Sequence, residues 1–143
     1  MTGVQTCALP ISSPLRFKRD VFEAQIFSTG ITSKSTLVAL DKKTSQIIGS
    51  SRFYDVDENN LELAIGFTFL ARSHWGGLFN QEIKSLMLNH AFTWARRVWF
   101  HVGSNNIRSC RALEKIGAKL SHTAPRPVNG QPIAHCYYYI DKA

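Results

Sequence analysis

The feature that constrains this chain most is a pair of helix starts in its second half. The run RSHWGGLFNQEIKSLMLNHAF extends from Arg72 to Phe92, and NIRSCRALEKIGA extends from Asn106 to Ala118. A glycine pair opens the first predicted helix; an asparagine opens the second, which closes on Gly117. Each helix is preceded by a predicted strand. Two helix N-termini of this kind offer backbone amides that suit a phosphate-rich ligand.

Residues 1–11, MTGVQTCALPI, look like translated sequencing adapter rather than native protein. A common adapter read translates to V/M-T-G-V-Q-T-C-A-L-P-I. The alternative is a short targeting segment, which is disfavoured because no basic region precedes Cys7 and the apolar stretch is too short. We therefore expect one domain at residues 12–143, with its true start lost upstream of Ser12.

Composition narrows the class of protein without choosing its ligand. No apolar run approaches the ~20 residues of a membrane span, which predicts one soluble domain. The 17 Lys and Arg against 10 Asp and Glu favour an anionic partner, such as a phosphorylated cofactor, nucleic acid or an acidic substrate. Cys110 and Cys136 have no metal-ligand spacing, and we interpret them as buried thiols of a cytoplasmic protein.

Hydrophobic patterning predicts the element order α-β-β-β-α-β-α-β-β. The first helix is expected at Leu15–Phe27. The remaining elements are strands at 35–41, 45–56, 60–71, 98–103, 119–128 and 133–141, with helices at 78–95 and from 106 onwards. In the third strand one apolar face is predicted to contain Leu61, Leu63, Ile65, Phe67 and Phe69. The long helix is predicted to turn inwards Phe79, Ile83, Leu86, Met87, Ala91 and Phe92. Pro125 and Pro127 require an edge strand or irregular backbone.

These motifs, in this order, resemble the GNAT superfamily of N-acetyltransferases, most closely the branch with the ribosomal-protein alanine acetyltransferases. That branch shows EIGYWL, then WGKGYATEA, a helix ending in AF, a strand, and N-x-x-S-x-R-x-x-E-K-x-GF. This chain has AIGFTFL, WGGLFNQE, HAF, VWFHV and NIRSCRALEKIGA, covering most of residues 35–118. The resemblance implies an α+β fold of the three-layer α/β type, with helices on both faces of a mixed, mostly antiparallel sheet. The family's first strand and first helix would lie in the missing N-terminus.

The resemblance also implies an acetyl-CoA site at the end of the third strand. The backbone that would meet the pantetheine arm belongs to Phe69, Leu70, Ala71 and Arg72. The pyrophosphate turn, buttressed by Trp75, would comprise Gly76, Gly77, Leu78, Phe79 and Asn80. The residues of the second helix would have three roles. Asn106 would contact the pantetheine, Ser109 would face the thioester, and Arg111 would lie near the nucleotide phosphates. No metal site is expected.

Departures from the family pattern affect the turn and the proton-transfer groups. The family's second glycine falls on Leu78, and the extra glycine stands at Gly77, so the amide assignments shift. The glutamate that often precedes the IGY motif is Ala64, and Glu62, on the same strand face, is the nearest candidate base. The alternative interpretation of Glu62 is a solvated carboxylate. Where many GNAT enzymes place a tyrosine acid, this chain has Leu113.

Ser109 is then the candidate proton donor to the leaving thiolate, against the alternative of a serine that caps or packs its helix. The reaction implied is transfer of an acetyl group from acetyl-CoA to a primary amine by direct attack in a ternary complex. The acceptor stays open among a protein N-terminus, a polyamine, an antibiotic and an amino acid. One rival function is a noncatalytic CoA-binding relic. The other is a basic ribosome- or nucleic-acid-binding module, but this chain has no recognisable motif for binding nucleic acid. We expect a cytoplasmic protein without membrane contact, and a homodimer stays open.

Overall fold

The computed structural model describes residues 4–6 and 34–143. Its strands are β1 (Val4–Thr6), β2 (Thr36–Leu40), β3 (Ile47–Asp57), β4 (Glu62–Ala71), β5 (Arg97–Gly103), β6 (Lys119–Val128) and β7 (Gln131–Asp141). Its α-helices are α1 (Phe79–Ala91) and α2 (Ile107–Lys115), and a 3₁₀ turn occupies Arg72–His74. The helix predicted at Leu15–Phe27 lies outside the described residues. Neither α1 nor α2 has the length and apolar character needed to cross a membrane.

The strands form one sheet in the order β2-β3-β4-β5-β7-β6, and β1 pairs with β4. The β4–β5 pair is parallel and the other pairs are antiparallel. The expected mixed, mostly antiparallel sheet is therefore confirmed. In the described part of the chain β6 pairs only with β7, so Pro125 and Pro127 occupy an edge strand as the sequence requires.

Both described helices pack on one face of this sheet. The core joins Met87 and Ala91 of α1 to Cys110 and Leu113 of α2. The strand side chains of the same cluster alternate along their strands and so share a face; they are Leu63, Ile65, Val98, Phe100, Val102 and Tyr138. The expected helices on the other face would have to come from residues outside the described range.

Helix α1 differs from its predicted form in length and in its inward stripe. It ends at Ala91, followed by a turn, rather than at Ala95. The sequence predicts that Leu86 faces inwards, but it is 70% exposed, whereas Met87 is 4% exposed. The buried stripe instead includes Lys84, whose Nζ donates to Asn80 Oδ1 at 3.0 Å. Adjacent helical positions are rotated by about 100°, so an apolar residue next to the stripe can still face solvent.

The predicted single apolar face of β4 is confirmed at Leu63 and Ile65. It is wrong at Leu61, which lies before the strand and is 41% exposed, and beyond Gly66, because a β-bulge interrupts the strand there. Phe67 has a φ of 52°, and the register with β3 shifts between the Arg52–Gly66 and Ser50–Phe69 pairs. One extra residue in β4 reverses which side chains face the helices. Phe67 accordingly packs on the face away from the core, 5.2 Å from the Tyr54 ring.

Candidate active site

A tight turn links β4 to α1 and is anchored to the end of the strand. Gly76 has a φ of 74°, a conformation that glycine adopts without steric cost. The Trp75 indole Nε1 donates to the carbonyl oxygen of Leu70 at 2.8 Å. The side chain of Trp75 thus fixes the turn against β4 while the backbone changes direction.

A second anchor connects the same turn to the loop after β2. His74 Nε2 lies 3.2 Å from Asp41 Oδ2, and the His74 ring packs edge-on against Phe79 with centroids 4.6 Å apart. The hydrogen bond to His74, and then the backbone N–H of Lys43, lower the pKa of Asp41. The turn is therefore held from both β4 and the β2–β3 loop.

The N-terminus of α1 directs backbone amides towards this turn. Leu78 is the N-cap without a side-chain cap bond, and Glu82 N–H donates to Leu78 C=O at 2.9 Å. The amides of the first helical turn have no partner within the helix, and the helix dipole makes this end positive. A Cβ on Gly77 would meet only the Phe79 ring, at 3.6 Å and 3.9 Å. The turn can therefore present backbone to a ligand at Gly77.

The N-terminus of α2 is fixed by Asn106, which is its N-cap. Asn106 Oδ1 accepts from Ser109 N–H at 3.2 Å, and its carbonyl accepts from Cys110 N–H at 3.0 Å. The side chain of Asn106 is 1% exposed. Asn106 thus sets where α2 begins and where Ser109 lies.

A groove of about 590 Å³ separates these two helix starts. Its lining residues come from the β4 end, the turn and α2, and they are Leu70, His74, Trp75, Gly76, Gly77, Asn80, Ile107, Arg108, Ser109, Arg111, Ala112 and Lys115. None of these residues is acidic, and three are Arg or Lys. The Arg108 guanidinium lies 5.4 Å from the Trp75 ring centroid, across the groove. Convergent amides and cations without carboxylates suit an anionic ligand.

The groove brings together about half of the residues predicted from the sequence. The predicted residues that line it are Leu70, Trp75, Gly76, Gly77, Asn80, Ser109 and Arg111. Six others flank the groove without lining it: Phe69, Ala71, Arg72, Leu78, Phe79 and Asn106. Sequence reasoning missed His74, Ile107, Arg108, Ala112 and Lys115. Positions 108, 111, 112 and 115 have the spacing of one helix face, and this spacing could have identified Arg108, Ala112 and Lys115 as neighbours of Arg111.

β4 and β5 separate along the part of β4 that leads to the turn, and this leaves a gap between the two strands. They pair only where Glu62–Ala64 meets Arg97–Trp99. Further along β4, residues Phe69–Ala71 pair with β1. Because β3 already pairs with the other edge of β4 at Phe69 and Leu70, β1 must lie on the β5 side, within the gap. The β4 edge here therefore accepts an extended chain.

Glu62 lies at the closed end of this gap, away from the groove. It pairs with Arg97 of β5, and its Oε2 accepts from Trp99 Nε1 at 2.7 Å. Five residues of strand separate Glu62 from Phe67, a distance of about 16 Å. The structure does not bring this carboxylate to the helix starts.

Comparisons with known proteins point to one family. The family model described as acetyltransferase (GNAT) domain matches residues 10–119. No curated protein matches the chain. A proposed acetyltransferase of known structure is 31% identical, with a TM-score of 0.64; the match covers 74% of this chain and 57% of that one. This chain thus spans less than two thirds of that protein.

Two further solved structures share the fold over most of the chain. A proposed acetyltransferase from T. thermophilus is 25% identical, with a TM-score of 0.72 and coverage of 91% of this chain and 71% of that one. A chimeric spermidine N-acetyltransferase from Vibrio cholerae and hSSAT is 16% identical, with a TM-score of 0.71 and coverage of 90% and 84%. The family match spans most of the sequence, including both helix starts and the separating strands, and this chain therefore belongs to the GNAT acetyltransferase family.

Proposed function

We propose that residues 12–143 form an N-acetyltransferase domain that moves an acetyl group from acetyl-CoA to a primary amine within a ternary complex. The observation that carries this proposal is the basic groove between two helix starts, which continues into the gap beside β4. Within the family we assign the chain to the branch with the ribosomal-protein alanine acetyltransferases, because its motifs WGGLFNQE and NIRSCRALEKIGA resemble those of that branch.

The residues present fit the phosphates of CoA. The first-turn amides of α1 and the backbone at Gly77 supply donors without intervening side chains. Arg108, Arg111 and Lys115 line the opposite wall of the same groove. Arg111 and its neighbours on α2 would hold the nucleotide end, and the α1 turn would hold the pyrophosphate.

The gap beside β4 fits the long pantetheine arm. An extended chain with amide groups can form a ladder with a strand edge, as β1 does at Phe69–Ala71. The arm would run from the turn at Gly76 along this edge and bring its thioester end near Phe67. Asn106 supports the other wall by fixing the start of α2.

The bound acetyl-CoA would supply an activated thioester, while the protein aligns the amine and stabilises charge on the carbonyl oxygen. A C–N bond forms as the C–S bond breaks; one proton leaves the nitrogen and one is taken up by the sulfur. Ser109 lines the groove, and we propose it as the donor towards that sulfur. Glu62 is not supported as the base, because it binds Trp99 at the closed end of the strands.

Calorimetric titration with acetyl-CoA and with acetyl-pantetheine tests this proposal. Acetyl-CoA should bind at least about tenfold more tightly, because only it reaches the amides and cations of the groove. Raising the salt concentration should remove most of that advantage. Equal binding of both ligands, or no binding by the folded protein, would contradict the proposal.

A further inference from the structure

The reactive end of the proposed site lies where β4 and β5 begin to separate, which we call the apex. The parallel register ends at Ala64–Trp99, and its continuation places His101 beside Gly66. Tyr54 lies over the same point, because a Cβ on Gly66 would come within 2.8 Å of Tyr54 Cε1. The Tyr54 hydroxyl and His101 Nδ1 are 2.8 Å apart.

An acceptor must reach the apex from the face opposite the helices. The helix face there is filled by the core, in which Ile65 and Phe100 are 2% and 3% exposed. The opposite face contains a ring cluster in which Tyr54 contacts both Phe67 and His101. The amine would therefore approach the thioester through this cluster.

A buried cation completes the cluster. Arg52 pairs with Gly66 in the β3–β4 register, and its guanidinium carbon lies 3.8 Å from the Phe67 ring centroid. The residue is 7% exposed. In the described structure Arg52 Nε and Nη1 are buried and have no hydrogen-bond partner.

Nε and Nη1 of Arg52 are therefore donors that lack a hydrogen-bond acceptor among the described residues. Stacking on Phe67 satisfies the face of the guanidinium plane, but Nε and Nη1 carry three of its five N–H donors at the edge. Buried charges in folded proteins are normally paired, because an uncompensated charge costs several kcal/mol. A carboxylate is the ligand group that matches these donors best.

The carboxylate nearest along the same strand is already engaged. Asp55 Oδ2 accepts from Arg126 Nη2 at 3.3 Å, and Arg126 Nη1 also donates to the Tyr137 hydroxyl at 3.3 Å. Close to Gly66, a polycationic acceptor would therefore meet Arg52 and the Arg126–Asp55 pair, whereas Glu62 lies farther along β4 and accepts from Trp99. Charge complementarity at the apex favours an acceptor with an anionic group.

We propose that this cluster is the acceptor site, and that the acceptor is an amine that also bears a carboxylate, as an amino acid does. Arg52 binds the carboxylate, and the Tyr54–His101 pair at the apex holds the amine. Arg52 and His101 flank β4 on either side, so their Cα atoms are about 10 Å apart, and the Tyr54 and Phe67 rings lie between them. The Tyr54 oxygen keeps a lone pair that can accept from the amine N–H. This inference rests on the function proposed above and narrows its substrate class.

A matched acceptor panel tests the proposal. CoA release from saturating acetyl-CoA is measured with α-amino acids, with the corresponding α-amides and with spermidine. The free acids should be preferred over their amides by about tenfold or more in kcat/KM, because only they pair with Arg52. Arg52→Met should raise KM for the acids by about tenfold and leave the amides within about twofold. Arg52→Lys should restore part of the difference.

Arg97→Met is the control, because Arg97 lies on the same sheet face but is already paired with Asp141 at 2.6 Å. This variant should keep the preference for acids, and thermal unfolding of all variants shows whether they fold. The proposal would be overturned if the protein acetylated spermidine or the amides as efficiently as the acids. An equal loss for acids and amides in Arg52→Met would also overturn it.

Calorimetry separates this failure from failure of the proposed function. If the protein binds acetyl-CoA but acetylates no amine that bears a carboxylate, only the acceptor assignment is refuted. Absence of acetyl-CoA binding would refute both.

Discussion

Single residues around the site show why side-chain identity matters at particular backbone positions. Gly76 needs its left-handed φ of 74°; an alanine there would cost about 1 kcal/mol in strain. Gly66 is restricted by space, because Tyr54 Cε1 would lie 2.8 Å from an added Cβ. Gly77 has neither restriction, so its size can be changed to probe the groove without remaking the turn.

His101 makes the folded chain sensitive to mild acid. Burial, and then Arg126, lower its pKa from 6.5 to about 4. Between these values the unfolded chain binds a proton that the folded chain does not, so stability should fall as the pH decreases from about 6.5 to about 4. Urea unfolding at several pH values should show a flatter profile for His101→Gln.

The carboxylates titrate in a separate window. Hydrogen bonds lower the pKa of Asp57 and Asp141 below 3.8 in the folded chain, so their contribution is lost only as the pH falls further. An identical slope between pH 6.5 and 4 in the wild type and His101→Gln would refute the assignment to His101.

Secondary-structure elements were predictable where a local signal existed. Asn106 and Gly117 mark the ends of the α2 region by capping preference, and the strands follow hydrophobic alternation. The bulge at Phe67 had no such signal, because a non-glycine residue with a φ of 52° is held there by pairing with β3. The burial of Lys84 likewise depends on its partner Asn80. Tertiary contacts decide both.

The cap of α2 can be tested with a matched pair of asparagines. Asn106→Ala removes the acceptor for Ser109 N–H at a position that is 1% exposed. It should lower the free energy of unfolding by about 1–2 kcal/mol. Asn105→Ala, at the neighbouring exposed position, should have little effect. Equal destabilisation in urea unfolding would contradict the assignment of Asn106 as the cap.

The whole molecule is organised around one separation of strands. The sequence predicted both helix starts and the family, and hence the groove, because these depend on local motifs. It did not reveal the apex, where Arg52 and Tyr54 of β3 meet His101 of β5, because these two strands are distant in sequence and come together only on either side of β4. The sequence also did not show that Glu62 lies away from the groove, because this position follows from where β4 pairs with β5.

The β1 strand should compete with acetyl-CoA for the gap. Gln5 pairs with Leu70, on the edge that we propose for the pantetheine arm. Gln5→Pro should weaken this ladder and tighten acetyl-CoA binding by about fivefold, corresponding to about 1 kcal/mol. Gln5→Ala keeps the backbone donor and serves as the control. Calorimetry that gives the same Kd for both variants would show that β1 does not compete.

Calorimetric titration of acetyl-CoA into the unmodified chain, Gly77→Ala and Gly77→Glu shows directly whether the groove binds the phosphates of the cosubstrate. An alanine Cβ would meet only the Phe79 ring at ordinary contact distance, so this variant should bind within about twofold of the parent. A glutamate adds a carboxylate beside the proposed pyrophosphate and should weaken binding by about tenfold or more. If Gly77→Glu binds as tightly as Gly77→Ala, the groove does not hold the phosphates of acetyl-CoA.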